Sequence, residues 1–243
     1  MSKKLFIAVV IVVAVLASLF YLFQQREDED VNKTVNMTSQ PIVSWQKTTI
    51  TEAMNNSVIN INSPKIIIYD NYVLESKVNE AITQHIEYSK DWFISGVTTA
   101  AEDNGETNIL NIETEVLLAT PRLISLAFTS TEDLAGINND DPKRTFMVFN
   151  LVNNKMVIEG NELFRDDIAW SRAAKMMKNY LLADYQGDPS CDLFFAPKNK
   201  GFAASCIGID RSHRGKHLSI TGDIPISMIQ EFLAPSVLSD VIQ

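Results

Sequence analysis

The sequence has few cysteines and histidines, with two Cys and three His in 243 residues. These side chains are the usual ligands of structural zinc, so the chain has room for at most one such site. Basic residues are also in the minority, at 21 Lys and Arg against 30 Asp and Glu, a formal net charge of -9. Because a protein that follows a phosphate backbone needs clustered Lys and Arg, nucleic acid is not an expected partner.

The sequence contains none of three common motifs for catalysis, phosphate binding or zinc binding. It contains no G-x-S-x-G serine elbow, no G-x-x-x-x-G-K-[ST] phosphate loop and no H-E-x-x-H zinc motif. We therefore expect no cofactor and no metal. Acid–base chemistry stays open, because carboxylates distant in sequence can converge in a fold. Glu113 and Glu115 alternate along a predicted strand and so share one face, where exposed carboxylates are expected.

One long apolar run decides the compartment. Leu5–Phe23 is 19 residues long and carries no charge. As a helix it spans about 28 Å, close to the roughly 30 Å hydrocarbon core of a bilayer. Lys3 and Lys4 precede it, which predicts that residues 1–4 are a cytoplasmic tip and that everything after the run lies outside. We expect a single-pass anchor in the cell membrane and no cytoplasmic domain.

The alternative to an anchor is a cleaved signal peptide. Val15-Leu16-Ala17 would serve as its cleavage site, but the apolar region of a signal peptide usually covers about 7–15 residues and this run is longer. No cysteine lies near the run, which excludes a lipoprotein anchor. The exported part carries 19 basic and 30 acidic residues, a formal charge of -11. This charge favours cationic partners by long-range attraction, although solubility alone also accounts for it.

The exported part divides into a stalk and a folded domain. Residues 24–42 are polar and lack periodicity, which is typical of a stalk. Residues 43–243 read as an extracytoplasmic domain, with any internal subdivision near 120–140. The patterns predict strands at 59–69 (with an interruption near Ser63-Pro64), 108–120, 123–131, 145–152, 156–158, 191–196, 202–210 and 217–221, and helices at 75–93, 162–185 and 225–232. This order indicates an α+β fold, a mainly antiparallel sheet with two or three packed helices after the transmembrane helix.

Two of the predicted helices have an apolar face. On the first, the residues at steps of three and four are Val78, Ile82, Ile86, Ser89 and Phe93. His85 lies beside this face, where a partly buried or surface position is expected rather than a catalytic one. On the second, the predicted face consists of Phe164, Ile168, Ser171, Ala174, Met177 and Leu181, and it is widened by Trp170, Ala173 and Tyr180.

Cys191 and Cys206 are predicted to form a disulfide. A hairpin centred between Lys198 and Asn199 would place them directly opposite each other on adjacent strands, within disulfide reach. An exported compartment is oxidising in most settings. A loop of this size stabilises a fold by roughly 3 kcal/mol in the chain-entropy model.

Two histidines near this hairpin allow further interpretations. With the cysteines, His213 and His217 form a C-x14-C-x6-H-x3-H pattern, but it lacks the close cysteine pair that usually clamps one side of a zinc ion. They also belong to the one local basic cluster, at a predicted turn, which consists of Arg211, His213, Arg214, Lys216 and His217. This cluster is either a solvated loop tip or a contact for an anion or a glycan.

Several short motifs resemble a family of exported domains of unknown function. They are Leu123–Phe128, Phe149–Lys155, Glu162–Phe164, Phe194–Pro197, Ile224–Ile226 and Phe232-Leu233. Together they are similar to the domain at the end of the lysozyme-sensing anti-sigma-V factor. Upstream, Ile61–Pro64 and Val78–Ile82 resemble its companion domain, which also precedes the catalytic domain of some peptidoglycan deacetylases. The resemblance covers about residues 55–235.

The chain departs from this family where effector function is concerned. The loop at 135–142 has no counterpart of the family's histidine, Met1–Lys4 cannot supply a sigma-binding domain, and the metal-binding Asp/His set of a deacetylase is missing. The resemblance therefore implies an envelope sensor or binding module without its usual effector. It suggests lysozyme, peptidoglycan or another glycan as the partner.

The leading hypothesis is thus a membrane-anchored extracytoplasmic binding module rather than an enzyme. Two alternatives stay open, an envelope hydrolase with carboxylate chemistry and a structural subunit of a membrane complex. A cleft with convergent carboxylates of raised pKa would favour the hydrolase.

Overall fold

The computed structural model describes residues 43–54, 56–100, 107–134, 142–153, 155–157, 160–213 and 216–242. The predicted tip, the anchor Leu5–Phe23 and the stalk lie outside these residues and stay predictions. None of the helices in the described part of the chain combines the length and the apolarity needed to cross a bilayer. Pro41–Gln243 forms one compact unit.

Six strands form the first sheet in the order β1-β2-β3-β4-β5-β6. They are β1 Val43–Met54, β2 Ser57–Ile68, β3 Asn108–Ala119, β4 Leu123–Asp133, β5 Lys143–Asn150 and β6 Lys155–Val157. Neighbouring strands are antiparallel except β2 and β3, which are parallel. Parallel neighbours need a long crossover, and helix α1, Tyr72–Ala100, lies within it.

Three strands form a second, antiparallel sheet, with β7 Pro189–Lys198, β8 Gly201–Asp210 and β9 Lys216–Pro225. Helix α2, Asp167–Leu181, precedes this sheet, and the short helices α3, Ile226–Ile229, and α4, Pro235–Val241, follow it. Short 3₁₀ turns lie at Gly160–Leu163, Arg211–His213 and Gln230–Phe232. The described residues therefore confirm an α+β fold with mostly antiparallel strands. They contain two sheets and four helices, where the sequence predicts one sheet with two or three packed helices.

The first sheet buries both of its faces around β4 and β5. Met147 and Phe149 belong to the core shared with α1, whereas Val148 between them belongs to the core shared with α2 and the second sheet. Successive side chains of a strand point to opposite faces, so β5 serves both cores. The same position explains why Leu123–Phe128 is buried at every residue. Its one polar member, Ser125, donates a hydrogen bond to the carbonyl of Pro197.

Helix α1 follows the predicted apolar face. Val78, Ile82, Ile86 and Phe93 are all buried against the sheet. The helix begins three residues earlier than predicted because Asn71 caps it, its side-chain oxygen accepting a hydrogen bond from the backbone N–H of Leu74 at 3.0 Å.

Helix α2 differs from the prediction in its start and its face. It begins at Asp167 because Asp166 is its N-cap, accepting a hydrogen bond from the backbone N–H of Ala169 at 2.7 Å. Ala173 and Met177 of the predicted face are buried, together with Ala169, whereas Ile168 and Ser171 of that face are exposed. The predicted face is rotated around the helix because it is counted from Phe164. Phe164 precedes the N-cap and is not part of the helix.

The predicted interruption of β2 at Ser63-Pro64 takes a different form. β2 pairs with β1 without a break, but its pairing with β3 ends at Asn62. Ile66 and Ile68 direct their backbone N–H groups away from β1 to acceptors on α1. Pro64 lies two residues before Ile66, so its backbone nitrogen faces the same open edge. A proline, which has no N–H group, is therefore tolerated at this position of the strand.

Side chains of α1 cover the open edge of β2. The amide of Asn79 accepts from the N–H of Ile66 at 2.9 Å and donates to the carbonyl of Ile66 at 2.7 Å. Glu75 accepts from the N–H of Ile68 at 3.0 Å. Asn79 thus supplies the donor and the acceptor that a neighbouring strand would supply, and we call this arrangement the Asn79 clamp.

The disulfide between Cys191 and Cys206 is confirmed, but the predicted register is wrong by two residues. Lys198 pairs with Gly201, so the turn is centred on Asn199 and Lys200, and Cys191 lies opposite Gly208. The two cysteines are diagonal neighbours with their Cα atoms 5.4 Å apart, which is within disulfide range. A Cβ at position 208 would lie 2.6 Å from the Cα of Cys191, so the glycine permits this close approach.

Candidate functional site

The candidate site is a pocket of about 310 Å³ between α1 and the first sheet, which we call the His85 pocket. Its residues are His85, Tyr88, Ser89 and Trp92 from α1, Ile112 from β3, Phe128, Ser130 and Glu132 from β4, and Lys143 and Thr145 from β5. A concave, mostly apolar pocket with a few polar groups is the usual form of a small-ligand site.

Helical spacing and strand register build the walls and the floor. His85, Ser89 and Trp92 follow one another at steps of four and three, so they lie along one stripe of α1. In the sheet, Ser130 pairs with both Ile112 and Lys143, which brings these side chains side by side on the floor.

Two aromatic side chains of α1 stand at the mouth of the pocket. Trp92 is 61% exposed and Tyr88 is 69% exposed, values that are high for side chains of their size. At the floor, the ring of His85 lies over Phe128, with centroids 4.3 Å apart and a tilt of 48°. The pocket therefore offers aromatic surface both at its opening and at its base.

The charges in the pocket balance each other. Nζ of Lys143 lies 3.0 Å from Oε1 of Glu132, whose side chain is 10% exposed, and 6.0 Å from the centroid of the Trp92 ring. The ammonium is thus held by a carboxylate and by an aromatic face. As a result the pair contributes no net charge to the site.

His85 is a hydrogen-bonding group rather than a cation. Its Nε2 lies 3.0 Å from Oγ1 of Thr145, and Oγ of Ser89 donates to its backbone carbonyl at 3.1 Å. Burial lowers the pKa of His85, because the charged imidazolium loses hydration. The ring is therefore neutral at pH 7, and one of its nitrogens donates while the other accepts.

The structure describes only part of the predicted basic cluster. Arg211 is exposed and donates to Oγ of Ser190 at 3.2 Å, and His217 is exposed on β9. His213 ends a 3₁₀ turn and Lys216 begins β9, but their side chains and Arg214 lie outside the described residues. The assignment of these five residues to a ligand contact stays a prediction.

A buried carboxylate supports the start of that turn. Asp210 is 2% exposed and accepts hydrogen bonds from the hydroxyl of Tyr185 at 2.6 Å and from the backbone N–H of Ser212 at 2.9 Å. The disulfide between Cys191 and Cys206 lies in the same hairpin and leaves neither sulfur free to bind zinc.

The carboxylates of the described residues do not converge in the His85 pocket. Glu132 is the one carboxylate among its lining residues. Glu113 and Glu115 are exposed on the sheet, where Glu113 accepts from Asn62 at 3.3 Å and Glu115 from Arg144 at 3.0 Å. Glycoside hydrolysis usually needs two carboxyl groups across the scissile bond. The described lining of the His85 pocket therefore does not place two carboxyl groups opposite each other.

Burial raises the pKa of one carboxyl group that does not line the pocket. Asp240 on α4 is 3% exposed and lies 3.4 Å from Nε of Arg122, whose charge opposes the shift without cancelling it. The ion pair with Arg122 joins the C-terminal helix to the turn between β3 and β4.

A second concavity, the Asn79 groove, lies on the other side of α1 and has a volume of about 300 Å³. Its lining residues are Thr48, Ile50, Glu52, Ile61, Ser63, Pro64, Lys65, Asn79, Ile82, Thr83, Ile86 and Glu87. Beside it, the buried ammonium of Lys90 lies 2.8 Å from Glu52 and 3.1 Å from Glu87. The polar side chains here tie the helix to the sheet.

The sequence places two members of the His85 pocket, His85 and Ser89, on or beside the buried face of α1. Tyr88 and Trp92, which continue the same stripe of α1, are not predicted as site residues from the sequence. A signal was present, because two large aromatic residues outside the apolar face of an amphipathic helix are unusual there.

No family model matches the chain, and no curated protein does. Among solved structures, a DUF3298 family protein from Bacteroides fragilis is similar with 14% identity and a TM-score of 0.49, covering 84% of this chain and 98% of its own. A DUF3298 family protein from Pseudomonas aeruginosa is similar with 13% identity and a TM-score of 0.45, covering 82% and 97%. Similarity at this level does not establish a shared activity. Neither protein is described as an anti-sigma factor or a deacetylase, so that finer resemblance stays a prediction.

Proposed function

We propose that the protein is a membrane-anchored binding or sensing module of the cell envelope, held by Leu5–Phe23 with its folded domain outside the cell. The observation that carries this proposal is the disulfide between Cys191 and Cys206. Disulfides persist in exported compartments and are rare in the reducing cytosol. An uncharged run of 19 residues ahead of a disulfide-bonded domain fits an exported, anchored protein.

Binding fits the His85 pocket better than catalysis. The pocket is lined by aromatic surface and hydroxyl groups, with one carboxylate that is already paired with Lys143. The ligands that this proposal favours are peptidoglycan and a protein that attacks it, such as lysozyme. The exported part has a formal charge of -11, which supports attraction of a cationic protein.

Co-sedimentation of the full chain in detergent with peptidoglycan sacculi, together with capture on immobilised lysozyme, tests the proposal. We expect retention on at least one of them. Retention on lysozyme should weaken as salt rises, because the attraction between exposed charges is screened. If the protein is retained on neither sacculi nor lysozyme and a membrane protein co-purifies with it in fixed ratio, it is a structural subunit instead. Release of soluble sugar from sacculi would show a hydrolase.

The orientation has its own test. Protease added to intact cells should remove the domain at 43–243, and alkylation of denatured, unreduced protein should find no free thiol at Cys191 or Cys206. Protection from the protease, or two free thiols, would contradict the extracytoplasmic location.

A further inference from the structure

We infer that the His85 pocket binds one ring of a neutral pyranose sugar. The inference deepens the proposed function, on which it rests, by naming the ligand class for this site. The volume of about 310 Å³ is at the small end of ligand pockets, which suits a single ring rather than an extended chain.

The charges of the pocket exclude the other ligand classes that aromatic walls attract. An aromatic cage with a carboxylate usually takes an ammonium ion, but here Lys143 already holds that position, 6.0 Å from the Trp92 centroid and 3.0 Å from Glu132. An anion would find a lysine that is already neutralised and an imidazole at His85 that is uncharged at neutral pH. The complementary ligand is therefore uncharged.

The lining combines flat apolar surface with hydroxyl groups. The faces of aromatic rings carry negative partial charge and attract the C–H groups of a ring stacked on them. Trp92 and Tyr88, both more than half exposed, provide such faces at the mouth. Around them stand the hydroxyls of Ser130 and Thr145 and the Glu132–Lys143 pair, which can donate to and accept from ring hydroxyls. A pyranose has this same combination of C–H faces and equatorial hydroxyls.

Fluorescence and saturation-transfer NMR titration with chitotriose, an uncharged N-acetylglucosamine trimer, tests the inference. The full chain is kept in a detergent without a sugar headgroup, because a glycosidic detergent would compete. We expect chitotriose to bind, and Trp92→Ala to weaken binding about tenfold or more. The matched control is Trp45→Ala, which removes another tryptophan that is 50% exposed but lies on β1, and should leave the affinity unchanged.

Three further probes decide between ligand classes. Affinity for chitotriose should not change with salt, since no charge on the ligand is screened. Tighter binding of choline or of p-cresol than of chitotriose, lost in Trp92→Ala, would overturn the inference in favour of a cation or of an aromatic side chain of a protein. Circular dichroism of both variants confirms that they are folded.

The inference and the proposed function fail in different ways. If none of the probes binds while the full chain still sediments with sacculi, the sugar site is wrong and the binding function stands. If chitotriose binds through Trp92 while sacculi and lysozyme are not retained, the sugar site stands and the envelope function is wrong.

Discussion

Helix α1 contacts the first sheet along two sides whose chemistry differs. On the side of the Asn79 groove, polar side chains are fastened to the sheet by hydrogen bonds and ion pairs, through Asn79, Glu75 and Lys90. On the side of the His85 pocket, Tyr88 and Trp92 project into solvent and leave a cavity of similar volume. The ion pairs of the helix and its hydrogen bonds to the end of β2 thus lie on the Asn79 side, whereas the exposed aromatic side chains of the other side are free to contact a ligand.

Disruption of the Asn79 clamp should have the largest effect on stability. Asn79→Leu leaves the N–H and the carbonyl of Ile66 without partners at a residue that is fully buried, and each such group costs about 1–3 kcal/mol. We expect a loss of about 2–4 kcal/mol in the free energy of unfolding, measured by urea denaturation.

Two variants control this measurement. Asn79→Asp keeps an acceptor for the Ile66 N–H and should cost less than Asn79→Leu. Thr83→Ala removes an exposed hydroxyl one turn along the same helix and should change the stability little. Equal losses in Asn79→Leu and Thr83→Ala would show that the clamp carries no special share of the stability.

The ion pairs of Lys90 should contribute next. Burial alone would lower the pKa of Lys90, but its hydrogen bonds and charge interactions with Glu52 and Glu87 outweigh burial and raise the pKa. Lys90→Met keeps the apolar stem and removes the charge, and we expect a loss of about 1–2 kcal/mol at neutral pH.

The raised pKa of Lys90 fixes the sign of the pH dependence. Its stabilisation is complete below the unfolded value of 10.5 and is lost as the pH rises through the folded pKa. The stabilities of the wild type and Lys90→Met should therefore converge in alkali, and Lys47→Met, at an exposed position of β1, serves as control. A constant difference up to the highest pH would contradict this account.

On the pocket side of α1, His85 should make the free energy of unfolding depend on pH in the acid range, with a smaller effect than that of Lys90. Because burial lowers its pKa, the folded state binds this proton less readily than the unfolded chain. Its contribution to stability is present above the unfolded value of 6.5 and is lost as the pH falls through the folded pKa. The wild type should therefore lose stability on the acid side of pH 6.5, where the unfolded chain gains a proton that the folded ring does not take up.

His85→Gln removes this titration and retains a hydrogen-bonding group for Thr145. As the pH falls below 6.5, the stability of the variant should fall less than that of the wild type, in thermal melts at fixed ionic strength. His217→Gln, at an exposed site on β9, is the matched substitution outside the pocket. Parallel curves for all three proteins would mean that His85 does not titrate differently on folding.

Removal of Trp92 should have the smallest effect on stability. Because the side chain is 61% exposed, Trp92→Ala loses little buried surface and one cation–π contact with Lys143, together below about 1 kcal/mol. A loss as large as that of Asn79→Leu would mean that the pocket side also holds the helix in place, and the contrast between the two sides would disappear.

The two sides of α1 also differ in how far the sequence predicts them. The buried face of Val78, Ile82 and Ile86 follows from helical periodicity, because burial repeats with the turn of the helix. Helical periodicity does not predict the role of Asn79, because a polar residue beside an apolar face is expected to be solvated. Its role follows only from the end of the β2–β3 pairing at Asn62, which leaves an open edge on β2.

Strand register is the second feature that the sequence does not predict. The pairing of Cys191 with Cys206 was predicted correctly, because a hairpin tolerates a disulfide between diagonal as well as opposite positions. The predicted centre of the turn is one residue too early. In the structure Lys200 adopts the left-handed conformation, with φ of 62°, although asparagine and glycine are the residues that usually do so. The His85 pocket depends on the register of three strands at once, and could not be placed without it.

The Asn79 clamp joins two residues that are only 13 positions apart, whereas the first pair of the β2–β3 ladder joins Ser57 to Asn108. Closing a short loop costs less chain entropy than closing a long one. The end of β2 and the first turns of α1 are thus expected to associate early in folding, with their open backbone groups already satisfied. β3 later pairs with Ser57–Asn62, the part of β2 that precedes the clamped end. The clamped edge beyond Asn62 is then unavailable for pairing with another chain while the sheet is incomplete.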